Sequence, residues 1–236
     1  MRVLFVHGLE SGPKGSKVAR LHEQGFTVVC PDMGMSLLKL DKPNSVARNV
    51  LRHWLVWVGG VGVAGFAASS VFGAGWVSVA GAAGVLVAVR LQWARIVRDA
   101  MRRSLESCVA VQERALADEA PDAIVGSSWG GAVTLELLRR GAWTGPTVLL
   151  APAWGKVLRT AAPTEIDGRL RELRVVAEKV PIRLVHDTSD DAVPHRDSVD
   201  LAAATGIELD SVDGGGHRLM GFVDGGRLAE VLRGLS

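Results

Sequence analysis

Short apolar runs recur along the chain, and most of them end at glycine, proline or a polar residue. Runs of this kind are typical of strands that are buried on both faces of a parallel sheet. The predicted buried strands cover residues 3–6, 25–32, 123–126, 147–150 and 182–185. Residues 207–212 alternate between apolar and polar positions, which predicts an edge strand. Helical patterns separate the strands, so the chain 1–236 is predicted to fold as a single α/β domain.

The stretch from Trp54 to Val89 departs from this pattern, because its 36 residues include no charged side chain. A single transmembrane helix needs about 20 apolar residues, so two closely spaced helices fit this length better than one. Glycine and alanine recur there at helical spacing, as is typical of membrane helices that pack closely. Residues 50–92 are therefore predicted to form an inserted helical hairpin that anchors the protein in a membrane. A water-soluble lid, a dimer interface and a shallow re-entrant insertion are the alternatives.

Arginines flank the predicted hairpin on both sides, whereas the turn between its helices carries no charge. The flanking residues are Arg48, Arg52, Arg90, Arg95, Arg98, Arg102 and Arg103. Because cytoplasmic segments carry an excess of basic residues, both ends of the hairpin and the catalytic domain are predicted to lie on the cytoplasmic side of the membrane. A helical pattern continues from Val97 to Leu116, so the second hairpin helix is predicted to run into a long amphipathic helix.

The charge balance of the chain argues against nucleic acid as a partner, since 27 basic and 25 acidic residues give a formal net charge of only +2. The two cysteines, Cys30 and Cys108, are predicted to be small apolar residues of the core. No zinc-like or phosphate-loop spacing occurs in the sequence, so neither a metal ion nor a cofactor is predicted. The sequence leaves the oligomeric state open.

Residues 126–130 fit the pattern Gly-x-Ser-x-Gly directly after a predicted strand and directly before a helical pattern. In this motif a serine sits on a sharp strand-to-helix turn, and the glycines allow the strand and the helix to cross closely. Ser128 is therefore the candidate nucleophile. An ordinary turn rich in glycine and serine is the alternative.

An acidic residue near Asp190 and then His217 also follow predicted strands, in the order serine, acid, histidine. Loops at the carboxyl ends of parallel strands share one edge of the sheet, so the three groups are expected to meet there. A serine hydroxyl is a weak nucleophile until a histidine removes its proton, and a carboxylate must orient that histidine. The pattern alone leaves Asp187, Asp190 and Asp191 as candidates for the acid.

The chain resembles the α/β-hydrolase superfamily, and especially its small YqiA-like serine esterases, over residues 1–45 and 95–236. Four motifs carry the resemblance in the family order. They are the strand end His7-Gly8-Leu9, the nucleophile turn 126–130, the acid loop 186–194 and the histidine loop Gly216-His217. The resemblance implies a reduced, mostly parallel sheet with helices on both faces. The hairpin 50–92 is a departure from the small esterases.

The resemblance also implies roles for individual residues. The family acid loop reads His-Gly-x-x-Asp, and Asp190 keeps the family spacing although Asp187 replaces the glycine. Backbone N–H groups of Leu9 and Trp129 are the implied oxyanion hole, with His7 orienting the loop that carries Leu9.

The function expected from these motifs is a membrane-associated serine hydrolase that cleaves carboxylic esters or thioesters through an acyl-enzyme intermediate. The apolar hairpin favours lipid-like or acylated substrates. A membrane adaptor that kept the fold without catalysis is the alternative from another class, and acyl transfer or peroxidase chemistry on the same three residues is a further option.

Overall fold

The described part of the computed structural model comprises residues 1–9, 11–56, 60 and 76–235. These residues form a six-stranded sheet with the strand order β2-β1-β3-β4-β5-β6, in which every pair of neighbours is parallel. The strands are β1 (Arg2–Val6), β2 (Thr27–Val29), β3 (Ala123–Ser127), β4 (Thr147–Leu150), β5 (Ile182–Asp187) and β6 (Glu208–Val212). The parallel sheet confirms the predicted fold class, and β6 lies at an edge as its alternating sequence predicts.

Helices connect the strands and cover both faces of the sheet. They are α1 (Ser16–Glu23), α2 (residues 46–56), α3 (Trp76–Glu119), α4 (Trp129–Arg139), α5 (Trp154–Ala161), α6 (Ile166–Ala177), α7 (His195–Thr205), α8 (Met220–Asp224) and α9 (Arg227–Leu235). Because the strands follow one another in parallel, each connection must cross the sheet, and helices are the usual way to make that crossing.

Alternate residues of each central strand enter two separate hydrophobic cores. In β1, Leu4 and Val6 pack in the core beneath α3, α4 and α5, whereas Val3 and Phe5 pack in the core beneath α1, α8 and α9. Side chains of a strand point alternately to opposite faces, so a strand that is apolar at every position needs a cover on both faces. The continuous apolar runs of the sequence therefore predict the two layers of helices correctly.

The second strand is shorter than its sequence pattern, since only Thr27–Val29 of the predicted 25–32 pair with β1. The strand is at the edge of the sheet, and its last partner is Leu4. Beyond it the Met33 N–H donates a hydrogen bond to His7 Nε2 at 3.1 Å, which brings the chain across the carboxyl end of β1. The residues after β2 thus contribute to the edge where the candidate site lies.

Part of the predicted hairpin 50–92 lies outside the described residues, which omit 57–59 and 61–75. Its second part belongs to the continuous helix α3, which extends as far as Glu119. Side chains described in α3 before Ile96 are exposed or half-buried, and from Ile96 onward one face of the helix is buried against the domain. Within the described residues, no helix combines the length and apolar character that a membrane crossing requires.

Candidate active site

Ser128 lies on the sharp turn between β3 and α4. Its φ of 54° and ψ of −116° are strained for a residue with a side chain. Hydrogen bonds hold the turn in this conformation, because the Ser128 N–H donates to the Leu150 carbonyl at 2.9 Å and the Ser128 carbonyl accepts from the Ala153 N–H at 2.9 Å. Strain of this kind persists only where the surroundings fix the backbone, and it is concentrated at functional sites.

Glycine at position 130 allows α4 to start directly against β1. A Cβ atom there would overlap the Val6 carbonyl oxygen and lie 2.6 Å from the His7 carbonyl oxygen. Position 126 is similarly confined, since a Cβ there would overlap Thr134 Oγ1. The Gly-x-Ser-x-Gly pattern is thus a packing requirement of the turn that presents Ser128.

Gly130→Ala should lower the stability of the protein, because the new methyl group meets rigid backbone atoms of β1. We expect a loss at the upper end of the roughly 1–3 kcal/mol that overpacking usually costs. Thermal unfolding compared with Gly12→Ala measures the effect, since an added Cβ at Gly12 meets nothing within 4 Å. Equal melting temperatures for the two variants would contradict the proposed close crossing of α4 and β1.

The three residues predicted as nucleophile, histidine and acid form one hydrogen-bonded chain. His217 Nε2 lies 3.0 Å from Ser128 Oγ, and His217 Nδ1 lies 2.7 Å from Asp190 Oδ2. Each residue follows the carboxyl end of a strand, β3 for the serine, β5 for the acid and β6 for the histidine. With the Nδ1 proton donated to the carboxylate, Nε2 is free to accept the serine proton.

The Asp190 carboxylate is buried and fully engaged in hydrogen bonds. Its Oδ1 accepts hydrogen bonds from the backbone N–H groups of Ala192 and Val193, both at 2.8 Å. Its Oδ2 accepts a hydrogen bond from His217. Burial acts to raise the pKa of Asp190, but the hydrogen bonds from Val193 and His217 prevail, so its pKa lies below the ordinary value. Asp190 is therefore ionised at neutral pH and suited to stabilise a positively charged imidazole.

The other two aspartates of the acid loop have different surroundings. Asp187 Oδ2 accepts a hydrogen bond from the Gly215 N–H at 2.6 Å. Its Oδ1 accepts hydrogen bonds from both the N–H group and the hydroxyl of Ser189. These hydrogen bonds, led by that of the Ser189 side chain, lower the pKa of Asp187. Asp187 thus ties the acid loop to the histidine loop, whereas Asp191 is exposed.

His186 is a second histidine on the candidate acid, and the sequence pattern gave no sign of this contact. The ring is fully buried, with Nε2 3.0 Å from Asp190 Oδ2 and Nδ1 2.6 Å from Ser198 Oγ. Burial lowers the pKa of His186, which favours the neutral ring. In that form the Nε2–H group donates a hydrogen bond to Asp190, and Nδ1 accepts a hydrogen bond from the Ser198 hydroxyl. His186 therefore helps to position the carboxylate.

The loop that follows β1 approaches Ser128 from the other side. A Cβ at Gly8 would lie 3.3 Å from Ser128 Cβ, so only glycine leaves this space open. His7 is buried beneath the loop, and its Nδ1 lies 2.9 Å from the Gly8 carbonyl oxygen. Trp129 is the first residue of α4, so its N–H group has no acceptor within the helix. Leu9 and Trp129 both line the cavity beside Ser128.

A cavity of about 580 Å³ opens above Ser128 and His217. Apolar side chains form much of its wall, and polar and charged groups are spaced around it. The apolar lining includes Phe5, Leu37, Met101, Val157 and Met220. Among the described residues, no group of three or more histidine, cysteine or acidic side chains is arranged as a metal site.

No protein-family model and no curated protein matches this chain. Solved structures do match it over nearly its whole length. A protein of the alpha/beta superfamily from Xanthomonas campestris pv. campestris is 20% identical, with a TM-score of 0.51 and 99% of each chain covered. Est1E from Butyrivibrio proteoclasticus is 12% identical, with a TM-score of 0.53 over 98% of this chain and 88% of that one. A Thermus thermophilus protein is 14% identical, with a TM-score of 0.55 over 99% of this chain and 88% of that one.

This chain has the α/β-hydrolase fold. In α/β-hydrolases the nucleophile, the acid and the histidine follow parallel strands in that order along the chain. Ser128, Asp190 and His217 have this order and meet at one edge of the sheet. Identities this low establish the fold only, so the activity has to be argued from the site itself.

Proposed function

We propose that this α/β-hydrolase-fold protein is a serine hydrolase that cleaves carboxylic esters or thioesters. The observation that carries the proposal is the hydrogen-bonded chain from Ser128 through His217 to Asp190 at the floor of an open cavity. A serine on a strained turn, a histidine within reach of its proton and a buried, ionised carboxylate are the parts that covalent acyl transfer needs.

In the proposed reaction, Ser128 Oγ forms a bond to the ester carbonyl carbon while His217 Nε2 takes the serine proton. The carbonyl oxygen becomes an oxyanion, which the N–H groups of Leu9 and Trp129 stabilise. When the intermediate collapses, the bond to the alcohol breaks and His217 gives its proton to the leaving oxygen. Water then attacks the acyl-enzyme in the same way, so one ester and one water yield one acid and one alcohol.

Assays with a panel of 4-nitrophenyl esters and acyl thioesters of graded chain length test this proposal. We expect turnover of at least the short esters. A purified protein that is folded but hydrolyses no member of the panel and reacts with no fluorophosphonate would support the alternative, a non-catalytic adaptor.

We further propose that the enzyme acts at a membrane on lipid-like or acylated substrates. Exposed apolar side chains at the described ends of the insertion support this, with Val56 75% and Leu91 77% exposed. The others are Leu51, Trp54, Leu55, Val87 and Trp93. Large apolar side chains that are exposed in such number favour a surface that contacts a membrane or a partner. The cavity residue Met101 belongs to α3, the helix that also contains residues 76–92 of the insertion.

Replacing residues 50–92 by a short linker should release the protein from membranes. The deletion removes the apolar insertion but keeps the sheet, Ser128 and His217. We expect the full chain to sediment with membranes and to resist extraction by alkaline carbonate. The shortened chain should be soluble and hydrolyse short esters without its preference for long acyl chains. A full chain found only in the soluble fraction, or an unchanged chain-length preference, would reduce the insertion to a packing or dimerisation element.

A further inference from the structure

Basic side chains surround the cavity above Ser128. Lys17 enters from α1, Lys156 from α5 and Arg218 from the loop that carries His217. The described residues that line the cavity include no carboxylate, since the candidate acid Asp190 lies behind His217. The chain as a whole has nearly equal numbers of basic and acidic residues, so this concentration of positive charge is a local feature of the site.

Lys17 is the innermost of these cations. Lys17 is half-buried, and among the described residues its ammonium donates a hydrogen bond to Ser127 Oγ at 2.8 Å. Ser127 is the immediate neighbour of the candidate nucleophile. An ammonium group has three N–H donors, so further donors remain for a ligand. No carboxylate of the described residues forms an ion pair with Lys17. Lys156 and Arg218 are exposed at the rim, where Lys156 donates to the Ala192 carbonyl at 2.9 Å.

The surroundings of Lys17 disfavour its positive charge. Burial and the neighbouring Arg218 lower the pKa of Lys17 to about 8, although Asp190 acts in the opposite direction. A cation whose charge is disfavoured by its surroundings, and which lines a cavity next to the candidate nucleophile, indicates a binding role. The negative charge of an anion beside Lys17 would offset both the cost of burial and the repulsion from Arg218.

We propose that the substrate of this site is an ester that carries an anionic group, and that Lys17 binds this group while Lys156 and Arg218 attract it to the cavity. The proposal rests on the hydrolase function above and narrows its substrate class. The apolar wall would hold the uncharged part of the same molecule. Charged groups at a binding site discriminate between ligands through direct hydrogen bonds and raise the rate of encounter through their field.

Two matched esters test the proposal. The 4-nitrophenyl monoester of adipic acid and 4-nitrophenyl hexanoate have the same leaving group and acyl length but differ in a terminal carboxylate. The acetate esters of 4-hydroxybenzoate and 4-hydroxybenzamide make the same comparison in the alcohol half. We expect the full-length enzyme to prefer the anionic ester of at least one pair, measured as the ratio of kcat/KM values.

Lys17→Met keeps much of the length of the side chain and removes its charge. We expect the preference to fall by about 10- to 100-fold, the range that hydrogen bonds to charged groups give. The matched control is Lys14→Met, because Lys14 is an exposed lysine of the loop before α1 and does not line the cavity. Equal preferences in the wild type, Lys17→Met and Lys14→Met would overturn the inference. A wild type that hydrolyses neither ester of either pair would instead overturn the proposed function.

The pH dependence of the same ratio distinguishes Lys17 from Arg218. Ser128, His217 and Asp190 act on both esters, so their contribution to the rate cancels in the ratio. The carboxylate of the anionic ester stays ionised and the arginine stays charged over this pH range. Because Lys17 has a pKa of about 8 in the free enzyme, its share of the preference should be present at neutral pH and fall above that value, and Lys17→Met should lack this decline. A wild-type preference that is constant to about pH 10 would exclude Lys17 as the anion-binding residue.

Discussion

Ser128→Ala should reduce the hydrolysis of short 4-nitrophenyl esters by about 10³-fold or more. The change removes the only atom that forms the acyl-enzyme bond, and what remains is the smaller rate enhancement from binding and oxyanion stabilisation. His217→Ala should have a comparable effect, since its Nε2 accepts the proton of the same hydroxyl. Steady-state kinetics of both variants beside the wild type measure these losses.

Circular dichroism and thermal unfolding should show that Ser128→Ala remains folded. The backbone hydrogen bonds that hold the turn come from the N–H and carbonyl of residue 128, and alanine keeps both. Residual turnover close to that of the wild type would remove Ser128 as the nucleophile. The neighbouring Ser127 would then be the first candidate, since its hydroxyl is in contact with Lys17.

Asp190→Asn should lower turnover by about 10²- to 10⁴-fold, because an amide can no longer stabilise the positively charged imidazole and can hold His217 in the wrong tautomer. The carboxylate also accepts the N–H groups of Ala192 and Val193 through its other oxygen, and an asparagine side-chain oxygen can retain those hydrogen bonds. The loss should therefore appear mainly in kcat.

Two neighbouring aspartates serve as comparisons for Asp190→Asn. Asp191→Asn changes an exposed side chain and should leave turnover within about threefold of the wild type. Asp187→Asn weakens the link to Gly215 and should mainly lower the melting temperature. If Asp187→Asn or Asp191→Asn caused the largest loss of turnover, the acid would be wrongly identified.

The sequence predicts the sheet well because its central strands β1, β3 and β4 consist largely of apolar residues. Runs such as 147–150 are buried on both faces, and the structure shows a strand with the same bounds. The second strand is overpredicted at both ends, because Phe26 and Cys30 are apolar and pack in the core beneath α1, α8 and α9 without pairing with β1. Hydrophobicity alone does not distinguish these two kinds of burial.

The sequence also identifies the groups that meet at the site, since Ser128, Asp190 and His217 each follow a strand. The spacing to Val193 singles out Asp190, whose Oδ1 accepts the Val193 N–H in the structure. The contact of His186 with Asp190 depends on the turn of the acid loop that brings the two side chains together, and the sequence pattern does not reveal that turn. Lys17 likewise approaches the cavity only because α1 packs near the loops that follow β3 and β6.

The proposal that Ser128 is the nucleophile of a serine hydrolase is tested most directly by covalent labelling. A fluorophosphonate reacts with a serine only when a neighbouring base activates it, and it leaves a stable phosphonyl ester on the reacting oxygen. We predict that the wild-type protein is labelled once and that mass spectrometry of its peptides places the label on Ser128, with no label on His217→Ala. A folded wild type that takes up no label, or a label on Ser127 or any other serine, would contradict the assignment of Ser128 as the nucleophile.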